Sequence, residues 1–387
     1  MNEEAMDTLK NTKKRVQHPF WIWESIMNTP KMLGECYSEP VYGEVKHVAE
    51  KCIQKKVKKI FLLGTGSSYF ATIAEKFAFE EFAGISTSNY LTTEFREYAP
   101  VAFDDQAAVF FHSHSGGTKG DPETVEMARD KGAYTIGITD IRESALAKSV
   151  EDVIIGPGGS KIELPATRTY STAIFRMIQL AIEIGKNNTL RDVALEAENK
   201  LKEIPGLLEG VAERFAQKAP GIVDAIEDCK SFFVVGSGPN YATADEAALG
   251  LSQSGGIPSQ AFQLENFLHG PIQTLRQGMG VVLIAAPGPF QERLVTTAKA
   301  CKIIGAKVVL LLPEGFQPKP DCDILMEFPN QVPELLSPLV YMTPLWQIAY
   351  YYSLLGRGCD TDRLSMDEPE FIEAFSIIMA GDKKFVK

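Results

Sequence analysis

The chain has 387 residues, of which 45% are hydrophobic and 23% charged, the balance of an ordinary globular protein with room for two domains. Its formal net charge of −11 argues against nucleic acid and against an anionic membrane surface as partners, so an anionic ligand has to be held by local features. No apolar run approaches the roughly 20 residues that span a bilayer, and the polar, acidic start (Met1, Asn2, Glu3, Glu4) is not that of a signal peptide. The six scattered cysteines lack any C-x-x-C spacing, as expected of free thiols in a reducing cytoplasm.

Residues 1–35 are a polar arm that turns apolar at Phe20, Trp21, Ile22 and Trp23. This aromatic cluster is expected to pack on a domain or on a neighbouring subunit. A helix from about Pro40 to Lys55 leads to the first strong signal, Ile60–Tyr69. There an apolar strand breaks into Gly64-Thr65-Gly66-Ser67-Ser68, and an amphipathic helix follows, capped by Ser67 or Ser68. A strand at Thr87–Leu91 comes next, then the wholly apolar Ala107–His112, which ends in the polar loop Ser113–Lys119. Helix Pro122–Lys131, strands Ala133–Ile138 and Val153–Ile155, and helix Thr172–Gly185 complete the unit. Whole apolar strands alternating with helices predict an α/β fold, a parallel sheet with both faces covered, doubly wound and flavodoxin-like.

A charged connector, Asn187–Lys200, and an amphipathic stretch, Leu201–Ala219, carry the chain to a second copy of the pattern. Phe232–Val235 breaks at Gly236-Ser237-Gly238-Pro239-Asn240-Tyr241, as the first strand does. Helix Ala242–Ser254, strands Ala261–Gln263 and Gly280–Ala286, helix Glu292–Ile304, strand Lys307–Leu312 and the apolar helix Ser337–Leu355 follow. Two homologous domains in tandem are expected, over 36–190 and 200–355, between an arm (1–35) and a polar tail (356–387) with a short helix at Glu370–Ala380.

Ligands of open parallel sheets bind outside the carboxyl ends of the strands. Two polar loops fall there in the first unit, Gly64–Ser68 and Ser113–Lys119. Ser113, Ser115, Thr118, Lys119 and the amides around Gly116 and Gly117 form a hydroxyl-lined cradle for a tetrahedral anion, with two helix N-termini pointing in. The bland alternative is two capped helices and no ligand. The hydroxyls outnumber what capping requires. In the second unit His269 precedes Gly270-Pro271, with Glu265 four residues upstream. This pair suits acid–base work near neutral pH, and equally suits a histidine bonded to a carbonyl at a turn. His112 and His114 point to one side if both lie on a strand, a conceivable metal pair that lacks a third ligand.

Gly64–Tyr69, Ser113–Thr118 and His269-Gly270-Pro271 together resemble the sugar-isomerase (SIS) family. The likeness is greatest to the isomerase half of glucosamine-6-phosphate synthase and to the fructosamine-6-phosphate deglycases, and it covers roughly residues 18–365. It implies two tandem SIS domains. It also implies a sugar 6-phosphate held by Ser68, Ser113, Ser115, Thr118 and the backbone at His114, with Gly66, Lys119 and Arg168 completing the binding set. His269 would open the sugar ring, often from the neighbouring subunit. The chain departs from the family at four places. Asp121 replaces a hydroxyl of the anion loop and would repel a dianion unless turned away. Gln253 replaces the glutamate that moves the proton between C1 and C2. Gly250 replaces a lysine, and Asp362–Met366 lack the lysine of the synthase tail. The expectation is an isomerase for a 6-phosphate or 6-sulfo sugar, opening the ring and then converting aldose to ketose. A ketosamine deglycase and a non-catalytic sugar-phosphate binder are the alternatives. Burial would raise Glu265 into the working range as proton shuttle, with Gln253 holding a hydroxyl. Glu163 and Glu246 are the next carboxylates in line. The reading calls for no cofactor or metal, a cytoplasmic location, and a homodimer or larger homo-oligomer.

Overall fold

The structure, a computed structural model, describes residues 15, 17–101, 103–118, 120–159, 166–356 and 368–381. Lys119, Glu163 and the tail stretch Asp362–Met366 lie outside the described residues.

The apolar runs of the first half become Lys59–Gly64 (β1), Ser86–Leu91 (β2), Ala107–His112 (β3), Tyr134–Thr139 (β4) and Asp152–Ile155 (β5). Those of the second half become Phe232–Gly236 (β6), Ser259–Gln263 (β7), Gly280–Ile284 (β8), Lys307–Pro313 (β9) and Ile324–Phe328 (β10). Each set forms one five-stranded sheet, in the orders β2-β1-β3-β4-β5 and β10-β9-β8-β6-β7, with every pairing parallel. Relabelled from its own first strand, the second order reads 2-1-3-4-5 like the first. This is the doubly wound arrangement, whose chain reverses direction across the sheet between the first and third strands. β3, β4 and β8 are buried at every residue, which is why they read as unbroken apolar runs.

Both Gly-x-Gly turns exist for close backbone approach. A Cβ on Gly64 would lie 2.6 Å from the Ser68 carbonyl carbon, and one on Gly236 would overlap the Asn240 backbone. A helix can start this tightly behind a strand only where the strand ends without a side chain. Helices Ser67–Ala78 and Asn240–Gln253, which leave the two turns, pack against each other and bring the halves together.

Several expectations change. The expected connector and the amphipathic stretch are one 36-residue helix, Arg191–Ile226, with Pro205 and Pro220 inside it. At 1.5 Å per residue it runs about 54 Å and packs on helix Ser337–Gly356. Short helices at Thr92–Tyr98 and Leu264–Leu268, and strand β10, have no counterpart in the sequence reading. The aromatic arm folds onto its own chain. Phe20 is 4% exposed, His18 Nδ1 lies 2.8 Å from the Tyr350 hydroxyl, and Trp23 packs on Tyr350 with ring centroids 4.9 Å apart. Only Trp21 of the cluster is exposed, so the arm no longer argues for a second subunit. Among the described residues, no helix is long and apolar enough to cross a membrane.

Candidate functional site

A small pocket opens at the carboxyl ends of β1, β3 and β4, where the first sheet's winding reverses. Ser67 and Ser68 line it from the first turn, Ser113 and His114 from the loop after β3, and Thr139 and Asp140 from the end of β4. Helix Arg168–Gly185 closes the inner side with Tyr170 and Arg176. The two polar loops that the sequence placed at strand ends therefore meet.

The hydroxyls are not spent on capping. Helix Ser67–Ala78 starts after Gly66, at φ +59°, and helix Asp121–Asp130 after Gly120, at φ +89°. Neither has a side-chain cap, so the expected caps at Ser67 or Ser68 are absent. A helix without a side-chain cap leaves its first amides available to an anion. Ser67 Oγ instead donates to the Glu246 carboxylate at 3.2 Å. Ser113 Oγ and Thr118 Oγ1 are 2.7 Å apart, and Ser115 Oγ accepts the Gly117 amide at 3.3 Å. Gly116, at φ +59°, makes the loop's reversal. Asp121, at the point of expected repulsion, is 2% exposed, and burial pushes its carboxyl up to about 7. Near neutral pH it is therefore about half protonated, which softens its conflict with an anion.

Behind the pocket lies polar machinery that the sequence reading did not find. Arg176, 1% exposed, donates to the carbonyls of Thr172 and Ile154 at 3.0 and 2.8 Å and to Asp140 Oδ1 at 3.1 Å. Burial opposes the charge of Asp140, but the neighbouring His114, 3.4 Å away, and the Arg176 guanidinium hold its carboxyl below the ordinary range. Arg168 begins the same helix, also buried, and its charge acts on Asp140 as well. His112 Nε2 lies 3.1 Å from Glu75 Oε2, with both side chains sealed from solvent. Burial pushes His112 down to about 3 and Glu75 well above the carboxylate range, so the pair is neutral. A lone arginine on an apolar helix and an aspartate one residue past a strand were the only sequence signs of this cluster. His112 and His114 turn to different partners, and among the described residues no three ligands gather to hold a metal.

The expected acid–base pair stands apart from this pocket, whose lining contains no second-half residue. His269 is 81% exposed, 3.8 Å from Glu265. Glu265 is not buried. Arg293 grips it through Nε and, at 2.9 Å, through Nη2, and these bonds hold it below the usual carboxylate range. On this chain by itself, the expected burial of Glu265 and the rise it would bring are not seen. Gln253 ends helix Asn240–Gln253, half-buried. Glu246 on that helix is 2% exposed, and burial pushes it up to about 8.

The corresponding seat of the second half is filled by the chain itself. The Glu334 carboxylate sits between the turn at Gly238 and the loop after β8, where a Cβ on Gly288 would overlap it.

Residues 54–183 match the SIS domain family. The two sheets have the fold of two such domains in tandem. The C-terminal domain of glucosamine-fructose-6-phosphate aminotransferase from Francisella tularensis superposes with a TM-score of 0.79 at 19% identity, over 89% of this chain and 98% of that one. Tagatose-6-phosphate ketose/aldose isomerase from Escherichia coli superposes at 0.73 with 15% identity, over 91% and 98%. In sequence the chain is 28% identical to glutamine–fructose-6-phosphate aminotransferase (isomerizing) of Thermococcus kodakarensis, over 93% of this chain. It spans about three fifths of that relative's length, 61%.

Proposed function

We propose that the chain is a SIS-type phosphosugar isomerase that binds a sugar 6-phosphate in the first-half pocket, opens its ring and converts aldose to ketose. The observation that carries this is that Ser68, Ser113 and the uncapped N-terminus of helix Ser67–Ala78 meet in one pocket at the sheet's reversal point. The relatives' names, all of fructose- or tagatose-6-phosphate enzymes, support the same substrate class. Burial, which raises the Asp121 carboxyl, weakens the case for a 6-sulfonate over a 6-phosphate.

In this reading Ser68, Ser113, Ser115, Thr118 and the His114 backbone hold the phosphate, with Gly66, Lys119 and Arg168 beside them. The resemblance to the SIS family has His269, exposed on its own chain, entering the pocket of a second copy, which would make the active form a homodimer or larger. Glu246 is too deep to touch the sugar directly. It fixes Ser67, and its raised proton affinity keeps that contact uncharged at neutral pH.

The test is incubation with sugar 6-phosphates, 6-phosphoketosamines and 6-sulfosugars, followed by NMR. Aldose–ketose conversion of a 6-phosphate is expected. Release of an amine from a ketosamine would make the chain a deglycase. Saturable binding with no conversion would make it a sensor.

A further inference from the structure

The exposed tip that carries His269 has a counterpart in the first half that the reading above does not use. The glycine turns at Gly64 and Gly236 stand 172 residues apart, and the same offset relates two aromatic clusters. In the first half Phe95 packs on Phe61 and Tyr90, with ring centroids 5.2 and 5.4 Å away. In the second Phe267 packs on Phe233 and Phe262, at 5.8 and 6.1 Å. Helices Thr92–Tyr98 and Leu264–Leu268, which hold these two phenylalanines, leave their strands from one backbone conformation: φ −64° and ψ 134° at Leu91, φ −68° and ψ 139° at Gln263. At that offset Glu97, bonded to Arg96 at 2.9 Å, stands where the second half has His269. Beside it Tyr98 is 79% exposed and Val101 fully so.

Helices Ser67–Ala78 and Asn240–Gln253 hold matching places in the two halves and pack on each other, so the halves are related by a local twofold. A symmetric dimer that keeps this local axis and brings His269 to a first-half pocket also brings the tip at 97–101 to the second-half seat of the other copy. Tip and seat both depart from their counterparts, and the departures fit each other. The seat holds the half-buried Glu334 carboxylate beside Gly238 and Gly288. That carboxylate makes no hydrogen bond or ion pair among the described residues, and burial alone pushes it above the ordinary range. A desolvated carboxylate calls for a donor that the chain does not itself supply. The tip offers a phenol in place of an imidazole, with apolar Val101 next to it.

We propose that Tyr98 and Val101 of one copy dock on the second-half seat of a second copy, with the Tyr98 hydroxyl donating to Glu334 of the partner subunit. This rests on the reading that places His269 in the pocket of a second copy. The dimer then has two kinds of tip-to-seat contact: one completes a reaction pocket, and the other closes a seat already filled by a carboxylate.

Benzoylphenylalanine is placed at position 98 and, in a separate preparation, at position 269. The full chain is irradiated as an equal mixture of ¹⁵N-labelled and unlabelled copies, so that a link between copies carries both isotopes. Position 98 is expected to link to peptides containing Gly238, Gly288 or Glu334 of the other copy, and position 269 to those containing Ser68 or Ser113. Links between copies from 269, with none from 98 to the second half, overturn the proposal and leave the placing of His269 standing. Links between copies from neither position overturn both. Sedimentation reads the surface itself. Tyr98→Asp sets a second carboxylate against Glu334 and should weaken association about tenfold or more, with circular dichroism confirming that the variant is folded. Association as tight as wild type overturns the proposal. Tyr98→Phe and Glu334→Gln should each weaken association, and the double variant no more than the stronger of the two. Independent effects would overturn the pairing of hydroxyl and carboxylate.

Discussion

Ser113 is the hydroxyl on which the pocket most depends, because it lines the cavity and bonds Thr118 across the loop at 2.7 Å. Hydrogen bonds to charged groups contribute about 1.5–3 kcal/mol each. Ser113→Ala is therefore expected to raise the Kd for a sugar 6-phosphate about tenfold or more in calorimetry, and an unchanged Kd would remove the loop from the site. Glu246 makes a separate claim. Its folded value, about 8, lies above the ordinary value of about 4.5, so the folded state binds this proton more tightly than the unfolded chain. Its stabilising contribution is complete below about pH 4.5 and is lost as pH rises through 8. Glu246→Gln, neutral at every pH and able to accept the Ser67 bond, should flatten the decline in Tm between pH 6 and 9. Parallel Tm curves for the two proteins would mean that Glu246 titrates normally.

Among the elements, the loop from Ser113 to Thr118 has the least freedom to vary. Gly116 adopts a positive φ of +59°, and a Cβ there would overlap the Ser144 side chain. Ser144 in turn caps the following helix, Ala145–Ser149, by accepting the Ala147 amide at 3.2 Å. Gly116→Ala should thus lose stability by about 1–3 kcal/mol, the usual cost of such a backbone position, and lose anion binding with it. Denaturant unfolding and calorimetry on the same sample check both, and wild-type behaviour in the two would mean that the loop relaxes freely.

Across the whole molecule the two halves share one winding order but not one function. The Glu334 carboxylate lies where the second half would seat an anion, so one ligand per chain is expected in a binding titration, and two per chain would refute the self-filled seat. The proposed function places His269, 81% exposed on its own chain, in the pocket of a second copy. Mixing His269→Ala with Ser113→Ala, at a substrate concentration where each alone turns over slowly, should give more activity than the two separately, because one hybrid pocket then keeps both residues. No gain in a mixed oligomer would place His269 outside the reaction.

Local pattern carried the architecture. Period, glycine turns and strand length are properties of neighbouring residues, so the two sheets, their parallel sense and the loops at their carboxyl ends could be read from the chain. That Ser68 and Ser113 would line a pocket there was legible for the same reason, since each follows a strand end. The long helix Arg191–Ile226 was not, because its prolines and charges look like a connector until helix Ser337–Gly356 packs along it. Proton affinity was least legible of all. It depends on burial and on partners distant in sequence: Arg293 for Glu265, Arg176 for Asp140, and the closure of two halves around Glu246. Spacing made Glu265 look like a shuttle raised by burial, whereas on this chain it stands in solvent against Arg293 and is held low. Asp140 and His114 became a pair only when the loop after β3 folded against the end of β4, which brings together residues that no local rule connects.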